Sequence, residues 1–402
     1  MTAHSPAKNS IEWADSLPDH WKHARLRWLS RIFAGGTPNK AVVEYWQDGT
    51  IPWLASGAIN QRTITAATAY ITPEAFDSSS AKWIKPGSLL MALAGQGKTK
   101  GMVARLAFPA TCNQSMAAME VETPQFSDYL YWWLYSNYQN IRNMAGGDLR
   151  DGLNLQLLGD IACPLPPRNE AKAIADFLDR ETAKIDALIE EQEKLISLLQ
   201  EKRQAVISHA VTKGLDPDVP MKPSGIDWLG DIPAHWGRTR VKHACSHISD
   251  CLHTTPHYDG EIKYPAIRTA DLKPGVLDLS QARLVSRDVY EERTVRLVPK
   301  ANDVLYSREG ERFGMAALVP EGVELCLGQR MMLFRTNQSM FSDYFMWSLN
   351  SSAVVNQVQE KVAGATSPHI NISDIRNFHL PEPPFEEQGQ IARVISNSVS
   401  QM

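Results

Sequence analysis

One stretch of the sequence is close to a nucleotide-binding loop. Residues 91–101 read MALAGQGKTKG, and the window from Ala92 to Thr99 departs from the pattern G-x-x-x-x-G-K-[ST] only at its first position. Such a loop must open a helix whose N-terminal amides hold phosphate. The residues that follow, GMVARLAF, alternate as in a strand. NTP hydrolysis at Lys98 is therefore the weaker interpretation, and nucleotide binding by a Lys98→Ala variant would test it.

A second candidate chemistry is metal binding between residues 243 and 257. This stretch contains six residues of types that suit zinc: His243, Cys245, His247, Cys251, His253 and His257. Their spacing lacks the tight pairs of zinc sites, and the five cysteines of the chain form no C-x-x-C pair. The pattern favours scattered loop and strand residues over a metal site, and it indicates no disulfide framework.

These segments belong to a sequence that repeats itself. IEWADSLPDHWKHARLR, at residues 11–27, returns about 215 residues later as IDWLGDIPAHWGRTRVK, and FSDY at residues 126–129 returns at residues 341–344. PPRNEAKAIADFL, at residues 166–178, matches PPFEEQGQIARVI at residues 383–395. The sequence therefore predicts a tandem duplication, in which each copy has short strands, an aromatic helix around residues 127–144 in the first copy, and a proline-rich exit.

The duplication tests the nucleotide-binding interpretation. In the second copy LYSREGERFGM replaces the first copy's loop, so Gly310 corresponds to Gly95 and Gly314 to Gly101. Neither Lys98 nor the threonine after it has an equivalent. Both copies share a strand, a glycine-bounded turn that carries Lys or Arg, and a second strand. This pattern predicts a basic hairpin that contacts a DNA groove or phosphates.

No catalytic set recurs in the two copies. Asp128 and Asp343 recur at helix starts, where an acid caps or stabilises the first turn. His20 and His235 recur between Pro and Trp, where packing against aromatic rings is the favoured role. The segment EPPF at residues 382–385 is similar to the N-P-P-[FY] signature of amino-methyltransferases, but Glu is not among the residues that chemistry uses.

A long helix is predicted after the first copy. Residues 169–212 contain no Gly or Pro, and apolar residues follow an a/d heptad. Asn169 is expected to cap the helix, and Gly214 to end it. At a rise of 1.5 Å per residue such a rod is roughly 65 Å long, and its seam needs a partner helix. The second copy offers a shorter helix from Glu386 to Met402.

Composition bounds the remaining functions. The chain has 402 residues, a formal net charge of −4 and a pI of about 6.3, so nucleic acid would have to bind through local basic surfaces. No apolar run reaches the roughly 20 residues that cross a bilayer, and the N-terminal MTAHSPAKNS has no signal-like segment. We expect a cytoplasmic protein with no membrane contact.

The central helix and the flanking loops resemble one family. The segment from Ile174 to Trp236, with the loops at residues 34–53 and 251–265, is similar to the specificity (S) subunit of type I restriction-modification enzymes. The resemblance implies an α+β fold with two target-recognition domains, related by a pseudo-two-fold axis and separated by conserved coiled-coil helices. The expected ranges are domain 1 at 1–165, the central helix at 166–213, a linker at 214–225, domain 2 at 226–382 and a short distal helix at 383–402.

The resemblance also implies a function and partners. Each domain would read one half of a bipartite, asymmetric site on double-stranded DNA. Two methyltransferase (M) subunits would bind S-adenosylmethionine and methylate adenine, and restriction (R) subunits would supply ATP- and Mg-dependent translocation and cleavage. This chain would have no catalytic residues and no cofactor of its own. Two domains on a stiff rod would fit half-sites about one helical turn apart, near 34 Å.

Candidate contacts follow from the basic hairpins and variable loops. For DNA we predict Thr37, Lys40, Lys98 and Lys100 in the first domain, and Thr254, Thr255, Arg308, Arg312 and Arg330 in the second. Arg308 and Arg312 are favoured because Arg suits bidentate contact with guanine. For inter-helix packing we predict Ile185, Leu188, Leu195 and Leu199, with exposed neighbours available to M subunits.

The short distal helix leaves two interpretations open. Part of the central seam would lack an intramolecular partner, and an M subunit or a second copy of the chain would cover it, or assembly would be weakened. An alternative function is a coiled-coil scaffold or decoy that binds methyltransferase subunits without specific DNA recognition. Salt-dependent binding of duplex DNA by the purified complex would separate the two functions.

Overall fold

The structure, a computed structural model, describes residues 11–14, 16–95, 97–144, 152–258, 263–309, 312–362 and 370–401. The chain divides into two compact units, which are residues 1–189 and 190–402. Each unit mixes helices and strands around apolar clusters of its own. The α+β architecture predicted from the sequence is confirmed.

Unit 1 is built on a five-stranded sheet of order β2-β9-β6-β7-β4, with a three-stranded sheet of order β5-β3-β8 and the pair β1-β10. Its strands are β1 Lys22–Arg25, β2 Ser30–Ala34, β3 Ile51–Leu54, β4 Thr63–Ile64, β5 Ala69–Ile71, β6 Leu89–Ala92, β7 Val103–Leu106, β8 Thr111–Cys112, β9 Met116–Val121 and β10 Ala162–Leu165. Its helices are α1 Pro73–Asp77, α2 Ser127–Ser136, α3 Tyr138–Asn143, α4 Leu155–Asp160 and α5 Arg168–Lys213, which continues into unit 2.

Unit 2 repeats this plan with the sheet β14-β22-β19-β20, the sheet β18-β15-β21 and the pair β13-β23, and it adds the pairs β11-β12 and β16-β17. Its strands are β11 Met221–Pro223, β12 Asp231–Pro233, β13 Gly237–Arg240, β14 Cys245–Asp250, β15 Tyr264–Ile267, β16 Leu272–Lys273, β17 Val276–Leu277, β18 Arg283–Val285, β19 Val304–Ser307, β20 Ala316–Leu318, β21 Cys326–Leu327, β22 Met331–Thr336 and β23 His379–Glu382. Its helices are α6 Val241–Ala244, α7 Arg287–Thr294, α8 Ser342–Leu349, α9 Ser352–Val362, α10 Ile372–Arg376 and α11 Phe385–Ser400. The predicted duplication is therefore confirmed.

β6, at the centre of the unit 1 sheet, is apolar throughout because both of its faces are covered. Leu89 and Met91 of β6 pack in a cluster with α2, while Leu90 and Ala92 pack in a second cluster on the other face. β19 behaves in the same way, since its alternate residues join two different clusters. A two-residue side-chain period across a sheet produces this division.

Two helix boundaries differ from the sequence expectations, and a third agrees with them. The aromatic helix predicted for residues 127–144 is divided at Asn137, whose backbone N–H and side-chain amide both donate to the Trp133 carbonyl, at 3.2 and 2.9 Å. α5 already begins at Arg168, so Asn169 lies inside its first turn and is not its N-cap. Gly214 follows α5 with φ 80°, the left-handed conformation typical of a helix end.

The predicted helix seam is exposed between the two ends of α5. Ile185, Leu188 and Leu195 keep 55%, 55% and 47% of their surface accessible, and Leu199 is half-buried. These three side chains are exposed within the described chain, so their packing against a partner helix stays a prediction. α11 instead buries Ile391 in the unit 2 cluster that contains the end of α5. Its 16 residues span only about 24 Å.

Among the described helices, none combines the length and the apolar character that crossing a bilayer requires.

Candidate nucleic-acid interface

In unit 1 three loops meet at one end of the main sheet. β2 ends at Ala34, β6 ends at Ala92, and β9 begins at Met116. Antiparallel pairing of β9 with both strands places these three points side by side. The segments 35–42, 93–95, 97–102 and 113–115 therefore form what we call the loop end of unit 1, and the Leu93 N–H donates to the Ser115 carbonyl across it at 2.8 Å.

Unit 2 has an equivalent loop end. β14 ends at Asp250, β19 ends at Ser307, and β22 begins at Met331, again as antiparallel neighbours. The loop end of unit 2 is formed by residues 251–258, 308–309, 312–315 and 328–330. The Arg308 N–H donates to the Arg330 carbonyl at 3.0 Å, which is the counterpart of the bond between the same two loops in unit 1. Residues far apart in the sequence thus converge because the strands are antiparallel.

The predicted contacts of unit 1 lie at or beside its loop end, but they are not equally accessible. Lys40 and Lys98 are exposed, and Thr37 donates its hydroxyl hydrogen to Gln114 Oε1. Lys100 is only 4% exposed, so it does not belong to an exposed basic surface. DNA contact by the three accessible residues remains a prediction.

Arg308 requires a correction. Its guanidinium is 3% exposed and forms ion pairs with Asp250, from Nε to Oδ1 at 3.2 Å, and with Glu309, from Nη2 to Oε1 at 3.0 Å. The position corresponds to the buried Leu93 of unit 1, so the backbone directs the side chain inward. Arg308 therefore holds the loop end together, and the predicted direct reading of guanine by this residue is wrong for the structure as described.

The other predicted contacts of unit 2 are accessible. Thr254 and Thr255 are exposed, and Thr254 Oγ1 accepts a hydrogen bond from Arg293 Nη2 at 3.1 Å. Arg312 is exposed and donates from Nη1 to the Ala270 carbonyl at 2.7 Å. Arg330 keeps 58% of its side chain accessible. These residues present hydroxyl and guanidinium groups, which suit phosphate and base edges.

The nucleotide-binding interpretation does not fit the hairpins. β6 and β7 pair antiparallel, so the turn that contains Lys98 joins two strands and opens no helix. Gly101 and Gly314 both have φ 83°, and their N–H groups close the two turns on Ala92 at 2.9 Å and Ser307 at 2.7 Å. These bonds confirm the proposed equivalence of Gly101 and Gly314, while Gly310 lies outside the described residues.

Sequence reasoning missed two glutamines at the loop ends. Gln114 accepts from Thr37 in unit 1, and Gln329 donates from Nε2 to the His253 carbonyl at 3.2 Å in unit 2. In unit 1 this hydrogen bond joins the loop after β2 to the turn before β9, and in unit 2 it joins the loop after β14 to the turn before β22. The available signal was the recurrence of CNQSM at residues 112–116 as LGQRM at residues 327–331. A shared glutamine between divergent neighbours points to a common bracing role.

Sequence reasoning also missed one glutamate in each unit, which links the recurring Trp and His residues to the first turn of a helix. Glu170, in the first turn of α5, accepts from Trp21 Nε1 at 2.9 Å and contacts His20 Nε2 at 2.9 Å. Trp21 and, to a lesser degree, His20 hold the pKa of Glu170 below its usual range. The recurring P-P-x-x-E spacing was the signal available in the sequence.

The second copy repeats this contact. Glu387, in the first turn of α11, accepts from Trp236 Nε1 at 3.1 Å and contacts His235 Nε2 at 2.9 Å. Both recurring histidines therefore contact a helix glutamate, and His235 also lies beside the Trp236 ring. They hold structural positions in both copies.

Four of the cysteine thiols are buried, and their environment disfavours the thiolate. Burial raises the pKa of Cys112, Cys163, Cys245 and Cys326 to about 12, which suppresses the thiolate that nucleophilic or metal-binding chemistry needs. Within the ranges that the structure describes, no three His, Cys, Asp or Glu side chains are grouped to hold a metal ion. What the loop ends offer is recognition by hydrogen bonds and charge.

Comparisons with known proteins all identify the same family. The profile of the family described as "Type I restriction modification DNA specificity domain" matches residues 18–198 and 254–401. The chain is 26% identical over 392 residues to the type I restriction enzyme EcoBI specificity subunit of Escherichia coli, covering 94% of this chain and 79% of that protein. It is 22% identical over 395 residues to the EcoKI specificity subunit of E. coli K12, with coverages of 94% and 82%.

A solved structure shares the fold. A chain from work on complex assembly and conformational transition of the type I R-M system superposes with a TM-score of 0.63 and 18% identity. The superposition covers 96% of this chain and 92% of that chain. The likeness therefore extends over both units.

Proposed function

Because the chain belongs to the family of type I restriction modification DNA specificity domains, we propose that it is the DNA-recognition subunit of a type I restriction-modification complex. Unit 1 and unit 2 each read one half of a bipartite, asymmetric site. The observation that carries this proposal is the repetition of one sheet framework whose two loop ends display different side chains. An equivalent framework gives equivalent docking, and different side chains give different half-sites.

The charges of the loop ends support DNA as the ligand. The chain as a whole carries a formal net charge of −4, so attraction to phosphate has to be local. Lys40 and Lys98 are exposed at unit 1, and Arg312 and Arg330 at unit 2. Such cations position a protein on the backbone and release counterions, which makes the affinity fall as salt rises.

The proposed partners are methyltransferase and restriction subunits. The apolar residues exposed along the middle of α5, including Leu188 and Leu195, supply a surface for the methyltransferase subunits. The chain performs no bond chemistry, so adenine methylation and DNA cleavage belong to the partners. S-adenosylmethionine, ATP and Mg are proposed to bind there and not on this chain.

Methylation mapping tests the proposal. DNA from cells that express this chain with its methyltransferase subunit is sequenced for methylated adenine, and a split motif is expected. Residues 1–165 are then exchanged for the same region of another family member, and one half of the motif is expected to change while the other is kept. Methylation without any sequence preference would overturn the proposal.

The scaffold alternative is favoured by one observation, the exposed apolar face of α5. A scaffold would bring methyltransferase subunits together without selecting DNA. It predicts that the purified complex binds all duplexes of equal length equally at a given salt concentration. Specific recognition instead predicts a preference for the mapped motif of about 10³-fold or more over unrelated duplex.

A further inference from the structure

Three charged residues distinguish the loop end of unit 2 from that of unit 1. Arg308 and Arg330 stand where unit 1 has Leu93 and Ser115, because the same backbone hydrogen bond joins each pair. Glu309 directly follows Arg308, at the position where unit 1 has an alanine. The framework is shared and the charges are not, so these residues are candidates for what makes the second half-site different from the first.

Glu309 bridges the two arginines through different oxygens. Its Oε1 lies 3.0 Å from Nη2 of Arg308, and its Oε2 lies 3.6 Å from Nε of Arg330. Arg308 is buried and is also paired with Asp250, so it forms the fixed side of the bridge. Arg330 is mostly exposed and is held by a longer contact, so it forms the side that faces solvent.

The backbone of Arg330 is strained. Its φ is 66°, a left-handed conformation that glycine adopts readily and that a side chain with a Cβ adopts at a cost. An arginine at such a strained position indicates that its side chain has a role there. Among the described residues the equivalent Ser115 is not in this conformation, so the strain belongs to the charged version of the loop.

Resting on the proposed function, we propose that Arg330 reads a guanine in the half-site of unit 2, and that Glu309 is its positioning residue. The guanidinium fork matches O6 and N7 of guanine in the major groove. The Glu309 carboxylate pairs with Nε of Arg330, and this contact orients the flat guanidinium group before DNA binds. Arg308, fixed by Asp250, holds Glu309 in place. Preorganising a long side chain reduces the entropy lost when it binds.

The test uses the assembled complex of this chain with its methyltransferase subunit, first mapped for its methylation motif. Affinity is then measured for the motif duplex and for duplexes in which each guanine of the unit 2 half is replaced. For the unchanged complex we expect replacement of one guanine to weaken binding roughly 10- to 100-fold. Arg330→Gly, which suits the left-handed backbone, is expected to lose the preference at that base pair and to keep it elsewhere.

Two further variants separate the roles. Arg330→Lys keeps the charge and loses the fork, so it should also lose the preference, whereas a phosphate contact would be largely retained by lysine. Glu309→Gln is expected to reduce the preference at the same base pair about tenfold and to leave discrimination in the unit 1 half unchanged. Arg287→Ala, an exposed cation on α7, is the control and should change no base preference.

The outcomes distinguish this inference from the proposed function. A complex with no sequence preference before any substitution contradicts the proposed function. A complex with a clear preference that survives Arg330→Gly at every guanine contradicts the reading role of Arg330. If Arg330→Gly binds all duplexes equally weakly while circular dichroism shows a folded chain, the residue is a general affinity contact and the inference is wrong. A Glu309→Gln variant that keeps the full preference excludes the positioning role.

Discussion

Replacing Asp179 tests how the central helix is attached to unit 1. Asp179, on α5, accepts from Trp132 Nε1 at 3.0 Å and pairs with Arg105 Nη2 at 3.0 Å. Arg105 is 17% exposed, stacks on the Tyr131 ring at 3.9 Å and also pairs with Asp128 at 2.8 Å. Asp179→Ala therefore leaves an indole N–H and a largely buried guanidinium without an acceptor they now use.

The stability that Asp179→Ala is expected to lose depends on how deeply the interacting side chains are buried. Hydrogen bonds to charged groups contribute about 1.5–3 kcal/mol, and Asp179 is 44% exposed, so solvent screening places the loss near the lower end, at about 2 kcal/mol. The control is Asp186→Ala, on the same helix. Asp186 pairs with Arg62 at 2.6 Å where both side chains are more than a third exposed, so its loss costs about 0.2–1 kcal/mol.

Native-state hydrogen exchange measures this difference within the intact chain. Peptides that cover residues 171–182 include Ala171 and Ala175, which are buried in the unit 1 cluster, so their exchange reports the attachment of α5. For Asp179→Ala we expect roughly 30-fold faster exchange, and for Asp186→Ala less than about fivefold, since 1.4 kcal/mol corresponds to a factor of ten. Asp179→Asn keeps an acceptor for Trp132 and should lie between them. Equal acceleration by the two alanine variants would refute the reasoning.

Three further outcomes are expected. Gly35→Ala would drive a Cβ into the Cys112 carbonyl oxygen, so we expect the free energy of unfolding to fall by about 2 kcal/mol or more, measured as a lower urea midpoint in a fluorescence titration. The sequence predicts that Asp343 stabilises its helix start, but burial raises its pKa, so the net effect of its charge at neutral pH is to oppose folding. This cost falls as the pH drops from the raised folded pKa towards the lower unfolded pKa. Asp343→Asn should therefore be more stable than the parent at pH 7 and equal to it near pH 3 in thermal melts. Lys98→Ala should leave nucleotide binding unchanged in calorimetry and reduce the salt slope of DNA binding by about one.

The repeat could be predicted from the sequence because the residues that recur are those with structural partners. Trp21 donates to a glutamate in the first turn of α5, and Trp236 donates to a glutamate in the first turn of α11. Gly101 and Gly314 each close a hairpin in the left-handed conformation. Such positions tolerate few side chains, so they remain recognisable when the surrounding loops diverge. The same recurrence disfavours a nucleotide-binding loop, because Lys98 has no equivalent in the second copy.

The accessibility of single residues could not be predicted in this way. Lys100 and Arg308 both lie in basic hairpins, and the sequence marks them as surface cations, yet both are buried. The Arg308 side chain faces inward because a backbone hydrogen bond places the residue where the first copy has Leu93. Its acidic partner Asp250 lies far away in the sequence. The exposed state of Leu195 likewise depends on which segments pack beside it, and a heptad pattern does not contain that information.

The duplicated α+β plan, the long central helix and the family were all readable from the amino-acid sequence, because periodicity, helix-breaking residues and recurring motifs are local properties of the chain. Which loops share an end of a sheet, and which cations face solvent, became known from the folded chain. Antiparallel pairing brings residues 37, 98 and 114 together in one unit and residues 253, 309 and 330 in the other. Burial and ion pairing at these ends depend on contacts between distant segments, and no local pattern encodes those contacts.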